Sequence, residues 1–235
     1  MIKNVAIIRS GSLAFQCGEE LDAELYEVKK LLGVNGESSV VLVQTEELNI
    51  LIDTGFRNEY DLSTGNIEQN RMEMTDLLRH HRLRPSDINE VFITHWHHDH
   101  FGNLPLFESA TIAFAGIPAE EVRHLSGRFA FSSRLVELQE GGPWHEGLSV
   151  IHTPGHNGSH HAVVIDFRGW KFVAAGDAIV SKCYYDADSI YPYNRDFLSK
   201  EVALESMEKI KCIADIIIPG HGQPFQNWKG NKKDL

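Results

Sequence analysis

The chain has 235 residues, of which 42% are hydrophobic and 23% charged, and its formal net charge is −11. This length can bury the core of one large α/β domain or of two small ones. The acidic charge argues against a nucleic-acid partner, because binding to phosphates usually requires a basic surface. No apolar stretch approaches the roughly 20 residues that span a bilayer, and the scattered cysteines suit a reducing compartment. We therefore expect a soluble, cytoplasmic protein without a membrane partner.

The first part of the sequence predicts a strand, a helix and a hairpin. Met1–Arg9 contains a short apolar run that we interpret as the first strand. Glu19–Leu32 has leucine or valine at helical spacing and is expected to form an acidic amphipathic helix. Ser39–Gln44 and Asn49–Ile52 are apolar runs on either side of a polar turn, which indicates a hairpin. The second run ends in an Asp-Thr-Gly turn at 53–55.

The rest of the chain alternates apolar runs with helical patterns. A helix is expected at Glu68–His81, ending before Pro85, because proline disfavours helix at the residue ahead of it. Another helix is expected at about Leu198–Ile213. The predicted strands are Asn89–Thr94, Leu148–Thr153, Trp170–Ala175 and Asp215–Ile218. Because both hairpins and strand–helix alternation occur, we expect one domain over residues 1–235 with mixed sheets, and a polar tail at 227–235 that frays.

Four residues of metal-binding type lie just after the predicted strand Asn89–Thr94, namely His95, His97, Asp99 and His100. On a regular strand His100 would face away from the other three, and on a helix His97 would leave the face shared by His95 and Asp99. A compact loop can direct all four toward one point. Imidazole and carboxylate ligands suit Zn²⁺, with iron and manganese also compatible. We therefore predict a metal site here.

Three further candidate ligands, His156, Asp177 and His221, each follow a glycine at the end of a predicted strand. Glycine permits a turn that directs the next side chain back toward the edge of the sheet. The recurrence of this placement after successive strands is informative, since a single residue of this kind could simply belong to a turn. It predicts a site assembled from loops at one edge of a rigid scaffold.

The seven residues, in this order and spacing, resemble the metallo-β-lactamase superfamily. The resemblance covers Ser39–Phe225 and the turn at 53–55, whereas about 10–38 is expected to be a family-specific helical insertion. It implies an α/β fold, namely an αβ/βα sandwich of two mixed β-sheets flanked by helices. Lactamases often have a cysteine where this chain has Asp177, so the chain is more similar to the glyoxalase II, lactonase and nuclease branches.

The same resemblance implies two divalent metal ions, which we expect to be Zn²⁺. By position, the first ion is assigned to His95, His97 and His156, and the second to Asp99, His100 and His221. Asp177 matches the carboxylate that bridges the two ions. The implied reaction is hydrolysis by a hydroxide that the two metals share, with Asp99 as the catalytic residue that orients the nucleophile and accepts its proton.

A small ester, lactone or thioester is the expected substrate, because the acidic composition and the single short domain favour a small acyl compound. A phosphodiesterase or ribonuclease is an alternative, since the stretch Gly102–Phe107 is similar to a subgroup with a ribonuclease-like member. A mononuclear iron persulfide dioxygenase and a metal-binding domain without catalysis are the other readings. A homodimer is compatible with the sequence.

Other residues are assigned secondary roles. Asp53 either orients a ligand histidine or caps a turn. His98 is expected not to be a ligand, and His160 and His161 are expected to be structural. Lactonases of this family use a tyrosine three residues after the bridging aspartate, where this chain has Val180. Packing roles are therefore expected for the nearby tyrosines, which are Tyr184, Tyr185, Tyr191 and Tyr193.

Overall fold

Two six-stranded β-sheets are formed by the described residues of the chain. In the computed structural model these residues are 1–13, 36–132, 134–140, 142–191 and 196–230. The helix predicted at Glu19–Leu32 lies outside them, and so does most of the predicted insertion at 10–38. The assignment of residues 1–235 to a single domain stays a prediction.

The strands of the first sheet lie side by side in chain order. They are β1 (Ile2–Arg9), β2 (Val40–Thr45), β3 (Asn49–Ile52), β4 (Glu90–Phe92), β5 (Thr111–Phe114) and β6 (Leu135–Glu137). Strands β1 to β3 pair antiparallel, and strands β3 to β6 pair parallel. The predicted hairpin is β2–β3, in which Val41 lies opposite Ile52. The sheet is mixed, as predicted.

The second sheet also follows chain order. Its strands are β7 (Pro143–His145), β8 (Leu148–His152), β9 (His161–Phe167), β10 (Trp170–Gly176), β11 (Ile216–Pro219) and β12 (Phe225–Gln226). The β10–β11 pair is parallel, and the other pairs are antiparallel. Gly176 therefore lies beside Pro219 at the ends of two parallel strands. The loops that follow these strands emerge at the same edge.

The two sheets pack face to face with helices on the outside. The described helices are α1 (Thr64–His80), α2 (His98–Phe101), α3 (Ala119–Phe129), α4 (Lys182–Asp186) and α5 (Lys200–Ile213). Between the sheets, Val43 and Ile52 share a buried cluster with Val163. Leu42 on the other face packs in the cluster that contains Met74 of α1.

Helix α5 covers the second sheet in the same way, with Met207 and Ile210 packed in the cluster that contains Val173 and Ile217. Strands that are buried on both faces read as continuous apolar runs, which explains why they were visible in the sequence. The arrangement is the predicted αβ/βα sandwich. None of the described helices is both long and apolar enough to cross a membrane.

The C-terminal segment differs from the expected fraying tail. Asn227 is 2% exposed. Its Nδ2 donates to the carbonyl oxygens of Lys211 and Ala214 at 2.8 and 2.7 Å. These carbonyls lie at the end of α5, where no further helical N–H group can reach them. The start of the predicted tail is therefore fixed because it caps a helix, and fraying at Asn227 was the wrong expectation.

Candidate metal centre

The seven predicted ligands lie in four loops that meet at one edge of the sandwich. His95 follows β4, His156 follows β8, Asp177 follows β10 and His221 follows β11. The segment after β4 continues into α2, which is only four residues long and contains Asp99 and His100. This irregular turn and the short helix after it together bring the ligand-type side chains of the segment to one side, as predicted for a compact loop.

Three histidine nitrogens form the first cluster. His97 Nδ1 lies 2.9 Å from His95 Nε2 and 2.9 Å from His156 Nε2. The outer nitrogen of His97, Nε2, lies 3.0 Å from Asp196 Oδ1. Because a carboxylate only accepts, Nε2 carries the proton and Nδ1 presents its lone pair to the cluster. The orientation of His97 is thus fixed from outside.

The second cluster contains one carboxylate and two imidazoles. Asp99 Oδ2 lies 3.4 Å from His221 Nε2 and 3.6 Å from His100 Nε2. Both histidines are buried, whereas the Asp99 side chain is 14% exposed. Asp99 is therefore the member of this cluster that reaches toward solvent.

Asp177 lies between the two clusters and faces both. Its Oδ2 is 3.3 Å from His156 Nε2, and its Oδ1 is 3.3 Å from His100 Nε2 and 3.4 Å from His221 Nε2. The Asp177 backbone N–H donates to His160 Nε2 at 3.0 Å. His160 thus has the structural role expected for it, since it accepts a hydrogen bond from the backbone of the Asp177 loop.

The glycines ahead of His156 and His221 are required by close contacts. A Cβ at Gly220 would overlap Asp177 Oδ1, and a Cβ at Gly155 would overlap the backbone of Ala203 in α5. Gly155 also has φ +134°, a conformation that L-residues rarely adopt. The Pro-Gly-His pattern is therefore a packing requirement of the site as well as a turn signal.

Asp53 hydrogen-bonds a histidine of the second cluster, as its orienting role requires. Its Oδ2 lies 2.7 Å from His100 Nδ1, and its Oδ1 accepts from the Thr94 backbone N–H at 2.8 Å. Thr94 Oγ1 donates to the same carboxylate at 2.8 Å and lies 3.2 Å from His95 Nδ1. The Nε2 atoms of His95 and His100 are thereby directed into the site.

Burial and charge give the two clusters different protonation behaviour. Burial lowers the pKa of His95 and lowers that of His156 to about 4, so both imidazoles are neutral. Burial also opposes a charge on His221, but Asp177 and Asp99 outweigh it and raise the pKa of His221 to about 9. Burial would raise the pKa of Asp177, but the surrounding histidines, His221 first, hold it well below its usual value. The clusters therefore differ in that His221 is charged beside Asp177, whereas His95 and His156 are neutral.

The donor atoms fit divalent metal ions. Two ligands at 2.0–2.1 Å from a tetrahedral zinc ion are about 3.3 Å apart. The donor pairs described above are separated by 2.9 to 3.6 Å. Within the described chain, the buried atoms His100 Nε2 and Asp177 Oδ1 make no hydrogen bond although they face each other. Such atoms require a partner, and a cation between them would provide one.

The histidine and tyrosines noted beside the seven differ in where they lie. His98 packs its ring against Phe56 and Phe101, and its non-ligand role stays a prediction. Tyr184 and Tyr191 line a pocket beside the site, whereas Tyr185 is buried and donates to Asn227 Oδ1 at 2.5 Å. Tyr193 lies outside the described residues.

Sequence reasoning missed two acidic residues near the site. Asp196 lies 99 residues after His97, to which it is hydrogen-bonded. No pattern in the neighbouring sequence indicates this contact. Burial and the charge of Asp99 raise the pKa of the Glu59 carboxyl to about 7. Glu59 lies close in sequence to the Asp-Thr-Gly turn at 53–55, which could have drawn attention to it, but only Asp53 of this region was considered.

Comparison with known proteins gives the family. Residues 33–221 match the model of the metallo-beta-lactamase superfamily. A Xenopus laevis protein named metallo-beta-lactamase domain-containing protein 1 is 31% identical over 81% of this chain and 72% of its own length. The human protein of that name is 33% identical over 61% of this chain and 51% of its own length. The chain belongs to the metallo-beta-lactamase superfamily.

Solved structures agree with this assignment at the level of the fold. A Thermotoga maritima structure described as a metallo-beta-lactamase superposes with a TM-score of 0.64 at 19% identity, covering 94% of this chain and 98% of its own. An N-acyl homoserine lactone hydrolase, solved with its product at the metal centre, gives a TM-score of 0.63 at 17% identity, covering 88% and 86%. The predicted superfamily and fold are therefore confirmed.

Proposed function

We propose that the chain is a metal-dependent hydrolase that cleaves small esters, lactones or thioesters. The observation that carries this proposal is the pair of buried atoms at the centre of the seven side chains. His100 Nε2 and Asp177 Oδ1 face each other at 3.3 Å without a hydrogen bond. Buried polar atoms without a partner are costly, so a site that retains them is expected to bind something between them.

Two divalent ions, which we propose to be Zn²⁺, are the expected occupants. The proposed ligands of the first ion are His95 Nε2, His97 Nδ1 and His156 Nε2. Those of the second are Asp99 Oδ2, His100 Nε2 and His221 Nε2, and Asp177 would contribute one oxygen to each ion. Imidazole-rich sets with a few carboxylates are typical of catalytic zinc, although iron and manganese accept similar ligands.

Such ions, when bound, supply a water of lowered pKa and a Lewis acid for the developing oxyanion. The protein side chains contribute position and proton transfer. Asp99 is proposed to orient the attacking water and to accept its proton, because its carboxylate belongs to the cluster and also reaches solvent. Asp53 and Asp196 keep His100 and His97 in the tautomers that direct their lone pairs inward.

An apolar pocket beside the clusters favours an acyl substrate. It adjoins His156 and Asp177 and is otherwise lined by Ala178, Val180, Tyr184, Ser189, Ile190, Tyr191, Phe197, Ala203 and Met207. None of these other described residues is charged, so the described lining suits an apolar acyl group better than a phosphate. The lactone hydrolase among the structures of this fold supports the same substrate class.

Metal analysis followed by a substrate panel tests the proposal. Purified protein is expected to hold two zinc ions per chain and to hydrolyse lactones, thioesters or simple esters faster than phosphodiesters. One iron per chain with full activity would instead favour the persulfide dioxygenase. Preferential phosphodiester cleavage would favour the nuclease.

Two variants within the same motif provide the control. His95→Gln is expected to lose metal and activity together, because His95 belongs to the first cluster. His98→Gln removes the neighbouring motif histidine, whose ring packs on Phe56 outside the clusters, and it is expected to retain both metals. Equal metal loss in the two variants would contradict the proposed ligand set.

A further inference from the structure

His221 is held in place by two backbone carbonyls from distant parts of the chain. Its Nδ1 lies 2.8 Å from Ser12 O and 2.9 Å from Glu37 O. Because carbonyl oxygens only accept, Nδ1 carries a proton and Nε2 is the atom that faces Asp99 and Asp177. Ser12 and Glu37 are themselves joined as an isolated antiparallel bridge, with N···O distances of 2.9 and 3.1 Å.

A buried ion pair lies next to the bridge. The Glu37 carboxylate lies 3.1 Å from Arg9 Nη1 and 3.3 Å from Arg57 Nε. The side chains of Arg9 and Glu37 are 6% and 11% exposed, whereas Arg57 is 53% exposed. Arg9 also donates to Glu73 of α1 at 3.3 Å. Removing one partner of a buried ion pair leaves the other charge uncompensated, so the structure is expected to hold the Glu37 side chain close to Arg9.

The residues after Glu37 bind both loops that carry the second cluster. Ser38 Oγ donates to Asp99 O at 2.9 Å. The Ser39 backbone N–H donates to Gly220 O at 2.7 Å. The first cluster is supported from elsewhere, since His97 is oriented by Asp196 and His95 lies against Thr94. The contacts of residues 37–39 are therefore directed to the second cluster.

We propose that the Arg9–Glu37 ion pair is a positioning element for the second metal ion. The pair holds the Glu37 carbonyl in place, and this carbonyl sets the orientation and tautomer of His221. The pair thereby sets the metal affinity of the second position and leaves the affinity of the first position unchanged. The inference rests on the two-metal site of the proposed function. Arg9 and Glu37 act through His221 and touch no reacting atom.

Two glutamate variants form a matched test. Glu37→Gln and Glu73→Gln each remove one carboxylate from Arg9, but only Glu37 carries a carbonyl that binds His221. Metal-free protein is titrated with Zn²⁺ against a chromogenic chelator. In Glu37→Gln the second equivalent is expected to bind about 10- to 100-fold more weakly, the range typical of lost outer-sphere support, with the first unchanged. Glu73→Gln is expected to bind both equivalents as the unmodified protein does.

A second measurement separates positioning from general destabilisation. In the zinc-loaded protein, the Nδ1 proton of His221 is expected to be protected from exchange, and Glu37→Gln is expected to lose that protection while Glu73→Gln keeps it. If Glu37→Gln does not fold, Arg57→Ala replaces it. It removes the half-exposed partner of the same carboxylate and is expected to weaken the second equivalent several-fold.

The inference is overturned if Glu37→Gln and Glu73→Gln bind the second zinc equivalent with equal affinity. Where Arg57→Ala replaces Glu37→Gln, the same comparison is made with Glu73→Gln. Binding of a single ion by the unmodified protein overturns it as well, together with the two-metal part of the proposed function. Failure of the substrate panel alone overturns only the proposed activity, because the titration contains no substrate.

Discussion

Replacement of Asp99 by asparagine tests the assignment of the catalytic carboxylate. Asp99 lies in α2, and its Oδ2 is 3.4 Å from His221 Nε2 and 3.6 Å from His100 Nε2. Asparagine keeps the size of the side chain but has neither its charge nor its basicity. We expect Asp99→Asn to fold, to retain the first metal ion and to lose most of its hydrolytic activity.

The size of the loss follows from the two roles of the carboxylate. A positioned general base contributes about 10²- to 10⁴-fold, which corresponds to roughly 2.7 to 5.4 kcal/mol of activation free energy. Weaker binding of the second metal ion adds to this loss. The cost in folding is expected to be much smaller, since the interaction of a carboxylate with the first turn of a helix contributes about 0.3–1 kcal/mol.

A purely structural role for Asp99, as the N-cap of a helix beginning near Gly102, is the alternative to this catalytic role. Helix α2 begins at His98, however, its N-cap residue is His97, and no side chain caps it. The structure therefore contradicts the capping alternative, because Asp99 lies inside the helix.

The assay compares kcat/KM on the best substrate of the panel with zinc content and thermal stability. His98→Gln serves as the control for a change within the same short helix. Our reasoning is refuted if Asp99→Asn keeps two metal ions and at least half of the unmodified rate. Loss of activity accompanied by unfolding would not support it either, so the melting temperature is measured on the same preparation.

Two further substitutions test the surroundings of the site, and one binding measurement tests the substrate class. Asp53→Asn places an amide N–H₂ opposite either the Nδ1 proton of His100 or the Thr94 N–H, since both carboxylate oxygens accept hydrogen bonds. We expect about 10- to 100-fold weaker binding of the second ion by chelator competition, and unchanged affinity would show that Asp53 does not orient His100. Gly220→Ala places a Cβ onto Asp177 Oδ1, so we expect less than two zinc ions per chain by elemental analysis, and full occupancy would count against the described contact. RNA affinity is expected to be weak and to change little with salt, and a steep log–log slope together with RNA cleavage would reverse our ranking of substrates.

Much of the scaffold could be predicted because its signals are local. The runs that form β2, β3, β8, β10 and β11 are largely apolar, since residues of each strand pack against the other sheet and against helices. The candidate ligands were visible for a similar reason. Four of them occur in one short segment. Each of the others follows a glycine at a position where a Cβ would overlap neighbouring atoms.

The support of the site could not be predicted, because it depends on contacts between distant parts of the chain. His221 binds a carbonyl 209 residues away, and His97 binds a carboxylate 99 residues away. No local pattern reports such pairs. Asp53 illustrates this limit of sequence analysis. Its sequence context suggested either a turn or an orienting role, and only the structure shows that its carboxylate lies 2.7 Å from His100 Nδ1. Helix α3 was also missed, since Ala119–Phe129 was given no assignment.

Asp177 differs from the other six candidate ligands in facing both clusters, and this difference can be measured. Its Oδ2 is 3.3 Å from His156 Nε2, while its Oδ1 is 3.3 and 3.4 Å from His100 and His221. Asp177→Ala removes both oxygens, so we expect both zinc equivalents to bind more weakly in the chelator titration, whereas Asp99→Asn should weaken only the second. The Asp177 backbone N–H would still donate to His160, which keeps the loop in place. Weakening of a single equivalent in Asp177→Ala would mean that the carboxylate serves one metal position and that the two positions are not joined through it.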